Sequence, residues 1–301
     1  MTSCLVLAVA AAITLRADEL SDAFDQLKAA EAANDGAAIE KWAKETSRLA
    51  RAELALPPSD NPTQKAYHDS RLVYLEQTDV YTEYALAVGA GRPGVPPDQV
   101  ISMVDTLIAQ KPESEYLPLA VSPYLTALRT KDAEAQRAGA ERILELLPGN
   151  EDALMAMANY HNSRQENAQA MDYAMQVIDV LENKAMPEGF GEEAWNQKKN
   201  SLLGRAYLLT GLGGCAAQEW GMCVGRLEEA RVTITNPDPY TEASIYFYLG
   251  YANYQLAQES GDQELMEQAI ADTRKATEID SPLKEQAEKN LEAFTSQMAN
   301  Q

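Results

Sequence analysis

Leu203-Gly204-Arg205-Ala206-Tyr207 and, further along, Leu249-Gly250-Tyr251-Ala252-Asn253 decide how this chain reads. In each, a large apolar residue precedes a glycine inside a long run with helical periodicity. A glycine in a helix interior costs about 1 kcal/mol relative to alanine, so its recurrence needs a packing reason. The reason is close approach: at Gly204 and Gly250 a Cβ would push the two helices of a hairpin apart. Leu203 and Leu249 then fill the hairpin core, and Tyr207 adds a large apolar face one turn later.

The helix that follows repeats the logic with small residues. Ala269, Thr273 and Ala276 share one helical face and lead to Pro282, which breaks the chain before the next helix. A fainter copy runs through Leu154, Met157, Ala158 and His161, then Ala170, Ala174 and Val177. Upstream, Gln136, Ala140, Ile143 and Pro148 keep that phase, and Val104, Leu107 and Pro112 read as the end of another second helix. The pattern resembles the tetratricopeptide repeat, whose units are pairs of antiparallel helices stacked on a shared core. The chain departs from that pattern at Asn200, where the family usually has Trp, and at Asn253, where it has Tyr.

The resemblance implies an all-α, right-handed superhelical solenoid of antiparallel helix hairpins. Six hairpins are expected, divided as 18–112, weakly repeat-like; 113–281, the repeats; and 282–301, a C-terminal capping helix with a polar outer face. Abundant Ala and Glu with little β-branched clustering agree with helix almost throughout. Helix starts are marked by Asn61-Pro62, Asp238-Pro239 and Ser281-Pro282, each a capping side chain before a first-turn proline. The stretch over 211–217 breaks the regularity.

Residues 4–15 form a 12-residue apolar run, shorter than the roughly 20 residues a spanning helix requires. A small-residue cleavage site follows, after Ala12 or Ala17, so 1–17 resembles a secretory signal peptide, although no Lys or Arg precedes the run. Export to the periplasm or secretion is expected, with no membrane span in the mature chain. A cytoplasmic location follows if the run is instead a buried first helix. Cys215 and Cys223 are the cysteines left after such a leader, and both pairing and free thiols are open. One continuous helix would separate them by about 12 Å, whereas a turn between them would let them meet.

The net charge of −21 excludes nucleic-acid binding through the body, because phosphate contacts need a basic face. It reads as a solvated, self-repelling surface or as an acidic groove for a basic partner segment. Gly89-Ala90-Gly91-Arg92-Pro93-Gly94 spells a dinucleotide fingerprint, but a helix precedes it and prolines delay the next one, so it reads as a linker. His68 and His161 have no partner at metal-ligand spacing, and adjacent pairs such as Glu228-Glu229 point apart on a helix. No catalytic residue, cofactor or metal is expected, and the chain reads as not an enzyme.

In tetratricopeptide proteins the first helix of each unit lines a concave groove. Carried over by alignment, those slots hold Asn159 and Asn162, then Ser201 and Arg205, then Tyr248, Tyr251 and Tyr254 with Phe247 nearby. The tyrosines recur every three residues, which suits a groove-facing stripe or a core-packing one. One form of the family clamps a chaperone's C-terminal carboxylate with Lys, Asn and Arg; this chain offers Asn159 and Arg205 without the lysines. An earlier stripe, Tyr67, Tyr74 and Tyr81, reads as hairpin core. The expected function is a non-enzymatic scaffold that binds a protein or peptide, with a basic segment a natural partner. The alternative is a glycan-binding surface protein on the same kind of scaffold.

Overall fold

The computed structural model describes residues 19–57, 62–187 and 191–299, and every regular element among them is a helix. The leader-like run lies outside the described residues. Two compact units divide at Leu147 and Pro148. This partition follows packing, whereas the repeat boundaries read from the sequence follow likeness to a motif.

The first unit contains α1 (19–32), α2 (Gly36–Leu54), α3 (Pro62–Ala90), α4 (Pro97–Gln110), α5 (Leu117–Arg129) and α6 (Ala133–Leu146). Leu27, Ile39, Leu86, Met103 and Leu117 are fully buried in it. Arg51 ties three helices together: its Nε bonds Asp79 on α3 at 2.8 Å and its Nη1 bonds the Gln110 carbonyl of α4 at 2.9 Å. The early tyrosine stripe is not core, which corrects the expectation. Tyr67 and Tyr74 are exposed and flank Arg71, which forms two bonds of 2.6 and 2.9 Å to the buried Glu53. Heptad spacing put the rings on one side of α3, but that side carries a cation that must reach α2. Only Tyr81 turns inward, edge-on to Phe24 and donating to Glu31 at 2.8 Å.

The second unit contains α7 (Glu151–Ser163), α8 (Asn167–Asn183), α9 (Glu192–Ala216), α10 (Trp220–Thr233), α11 (Pro239–Ser260), α12 (Gln263–Glu278) and α13 (Lys284–Ala299). Each helix packs on the next. In addition α7 reaches α9, α9 reaches α11 and α11 reaches α13, while α8, α10 and α12 keep apart among the described residues. A ladder in which alternate helices meet on one side only must curve, with α7, α9, α11 and α13 on its inner side. All thirteen described helices thus form an all-α helical repeat.

Of the helix starts expected from the sequence, Asp238 caps α11 as expected, whereas Asn61 lies outside the described residues. Asp35, Asp132, Asn150, Asp238 and Asp262 each cap a helix by accepting from a first-turn backbone N–H. Gly261 closes α11 at φ +73, a conformation that glycine adopts without penalty. At Ser281-Pro282 the helix starts later than expected, at Lys284, because Ser281 Oγ first accepts from Leu283 N in a turn. The irregular stretch over 211–216 is helix. Its glycines serve contact: a Cβ on Gly211 would meet Leu227 backbone N at 3.1 Å, and one on Gly214 would meet Cys223 N at 3.0 Å.

The motif glycine of α11 is under the same constraint. A Cβ on Gly250 would sit 2.9 Å from Thr273 N and 3.0 Å from the Ala269 carbonyl oxygen. These are backbone atoms of α12, so no rotamer change relieves the clash. One turn further, Asn253 is 2% exposed and donates to Asp272 Oδ2 at 3.2 Å, joined by Gln268 at 3.1 Å. Where the tetratricopeptide pattern has Tyr, this chain therefore places an amide that meets a buried carboxylate.

Two outcomes follow. Gly250→Ala should lower stability by ~1–3 kcal/mol despite alanine's better helix propensity. Adding Thr273→Ala should not restore it, since the two backbone atoms remain; denaturant melts of both variants check this. Burial raises the Asp272 pKa, with hydrogen bonds from Gln268 and Asn253 opposing and Glu228 adding to the rise. An acid with a raised folded pKa favours folding most below the unfolded value of about 3.9, and that stability is lost as pH climbs through the folded pKa. Asp272→Asn should accordingly raise Tm at neutral pH and do so less in acid. An equal shift at both pH values contradicts the assignment.

Candidate partner groove

On the inner side of the second unit a groove of about 300 Å³ opens between α7, α8, α9 and α11. Leu209 and Leu212 of α9 give it an apolar floor, Asn162 and Asn167 supply amides, and Tyr248 and Tyr251 close it from α11. Helix geometry explains the placement. Tyr248 and Tyr251 are three residues apart and share a face, and the Gly250 contact with α12 turns that face away from the partner helix.

The six residues expected at the inner wall do not all meet. Asn162, Tyr248 and Tyr251 line the groove together. Arg205 and Asn159 stand one turn back along α9 and α7, where Arg205 Nε donates to Asn159 Oδ1 at 2.6 Å. That bond joins two odd-numbered helices across the inner side. Tyr254 packs elsewhere: its ring stacks on Phe294 of α13 at 4.0 Å and its hydroxyl donates to Gln297 at 2.6 Å. The tyrosine stripe is thus divided. Tyr251 is 36% exposed and edge-on to Trp220, Tyr248 is half-buried and edge-on to Phe247, and Tyr254 serves the last helix. Burial, with a smaller contribution from Tyr240, pushes the Tyr248 phenol above its ordinary pKa, so it stays a neutral donor.

Sequence reading missed Trp220, Leu209 and Leu212. Leu209 and Leu212 lie outside the short motif, and Trp220 reaches Tyr251 only through the packing of α10 on α11. The neighbouring aromatic slots are structural. Tyr207 is buried and donates to Glu182 at 2.9 Å, and burial followed by Glu182 pushes its pKa up to about 12. His161 lies parallel to Tyr173 at 5.5 Å, with Nδ1 2.6 Å from Glu166. The glycines at 89–94 lie at the end of α3 and in the segment before α4, with a helix and no strand ahead of them.

A disulfide borders the groove. Cys215 in the last turn of α9 is bonded to Cys223 in the first turn of α10, with Cα atoms 4.9 Å apart. They meet because Ala217, Gln218 and Glu219 reverse the chain, with Gln218 at φ +61. Closing so short a loop removes about 2–3 kcal/mol of unfolded-state entropy. Cys223→Ser should cost stability of that order, and reduction of the native chain should lower its melting temperature by a similar free energy. Identical melts with and without reductant would show that the bond does not form.

No protein-family model matches the chain, and a search of the curated proteins returns no match.

Proposed function

We propose that the chain is a non-enzymatic scaffold of tetratricopeptide type that holds an extended segment of a partner protein in the groove of its second unit. The observation that carries this reading is the convergence of Asn162, Tyr248 and Tyr251 on one groove with an apolar floor. Alignment to the repeat pattern picked out these residues from two separate helices. Tyr offers large contact area at modest entropic cost and is enriched where interfaces gain most of their energy. The amides of Asn162 and Asn167 can both donate to and accept from a peptide backbone.

An exported location, periplasmic or secreted, accords with the leader-like run over 4–15 and with the disulfide, since such bonds persist in oxidising compartments. A second reading, a glycan-binding surface protein, draws on Trp220 standing edge-on to the exposed Tyr251. Sugar rings pack on aromatic platforms of this kind. The peptide reading is preferred because the amides of Asn162 and Asn167 stand beside an apolar floor set by α9.

A random-peptide display selection run beside a glycan array on the full chain separates the two. Binding of the selected peptide is followed through the fluorescence anisotropy of a labelled copy. Tyr251→Ala should weaken that peptide by ~1–3 kcal/mol and leave the melting temperature nearly unchanged. Loss of folding, or selective glycan capture with no peptide enrichment, overturns the peptide reading.

A further inference from the structure

The first unit carries a groove of different chemistry. It has a volume of about 530 Å³ and lies between the end of α2, the middle of α3 and the segment after α4. Five carboxylates line it, Glu76, Asp79, Glu83, Glu113 and Glu115, against two cations, Arg51 and Lys111. Much of this charge is already committed. Arg51 is held by Asp79 and by the Gln110 carbonyl, and Asp79 also accepts from Ser47 Oγ.

Glu83 is the exception. The residue is only 5% exposed, yet no hydrogen bond or ion pair reaches its carboxylate among the described residues. Gln110 also lines the groove, but its Oε1 is buried and turned away from solvent, without a hydrogen-bond partner. A carboxylate held so largely out of water with no partner is costly, and the side of Glu83 left open is the one that lines the groove. Glu83 is an acceptor, so what completes it is a donor. The adjoining field is negative: burial, then Glu115 and Glu83, push the Tyr116 phenol upward in pKa. Among the described residues no set of carboxylates converges as a metal-binding group. Leu54 and the exposed Val80 form an apolar wall on the same groove, which suits an uncharged methylene stem better than the charge-interrupted chain of a polyamine.

We propose that this groove seats the ammonium or guanidinium of a basic side chain from a partner protein. Glu83 takes its N–H donors, Leu54 and Val80 cover its stem, and Glu76, Glu113 and Glu115 attract the basic segment around it. The site lies in the first unit and does not depend on the tyrosine groove of the second.

The test uses the full chain and a fluorescein-labelled octapeptide of alternating Lys and Ala, with its lysine-acetylated form and spermine as comparisons. Saturable binding of the lysine peptide is expected, weakening as salt rises and lost on acetylation. Glu83→Gln keeps the shape and removes the charge; it should weaken binding by at least about 30-fold without lowering the melting temperature. Glu259→Gln, the same charge change at an exposed position of α11, should change binding by less than about twofold, and Tyr251→Ala should leave it as it was. Equal losses in Glu83→Gln and Glu259→Gln would reduce the effect to net charge. Unchanged binding of the acetylated peptide, or loss in Tyr251→Ala, would place the peptide elsewhere. Tighter binding of spermine would give the groove to a polyamine. A marked drop in melting temperature for Glu83→Gln would give the carboxylate a structural partner. Each of these results overturns the proposal.

Discussion

The contact of backbone against backbone within the helix pairs of the second unit is the constraint on which the rest of that unit depends. At Gly250 the α11 chain lies against Thr273 N and the Ala269 carbonyl of α12, and at Gly214 the α9 chain lies against Cys223 N of α10. At Gly204 it is the side chain of Ile234, just past α10, that leaves no room for a Cβ. Helices that close cannot be separated by side chains, so the apolar residues beside each glycine fill what remains. Leu203 and Leu249 are buried accordingly, as are Ala269 and Ala276 of α12. The face opposite each contact is then free to carry large polar-tipped rings. Tyr248 and Tyr251 occupy that face on α11.

Buried polar groups fix how the layers register. Glu151, 3% exposed at the start of α7, accepts from Lys184 after α8 at 2.7 Å and from Lys198 of α9 at 2.8 Å. Burial works against its ionised form, and the two lysine hydrogen bonds outweigh it and hold its pKa below the ordinary value. Asn253 and Asp272 do the same between α11 and α12. Such groups add less stability than apolar residues of equal volume would, but a one-turn slip would leave each of them unpaired. The disulfide between Cys215 and Cys223 fixes the α9–α10 turn covalently. It does so where the glycines of α9 have removed the side chains that would otherwise hold the hairpin.

The two units present unlike surfaces. The groove of the second is floored by leucines and flanked by tyrosines and amides, whereas that of the first is lined by carboxylates, among them the unpaired Glu83. The net charge of −21 is therefore more than a solvating coat: part of it gathers in one groove. An acidic surface raises the local concentration of basic segments and speeds their encounter, while tight binding requires desolvated, well-matched contacts.

The sequence by itself determined the helices, most of their ends and the tight pairs. Periodicity, capping side chains and small residues opposite glycines are local properties, readable along a single helix. It also named Asn162, Tyr248 and Tyr251 as groove residues, because alternate helices of a repeat face one way. Tertiary structure alone decided the rest. Tyr254 has the same spacing as its neighbours, yet it stacks on Phe294 forty residues away because α13 covers the end of α11. Tyr67 and Tyr74 follow a heptad yet stay exposed beside Arg71, since Glu53 on α2 claims that cation. The glycines near 211–214 look like a loop until α8 and α10 are placed against them. Spacing along a helix fixes which side a residue takes, but what stands on that side is set by chain segments whose arrival no local pattern encodes.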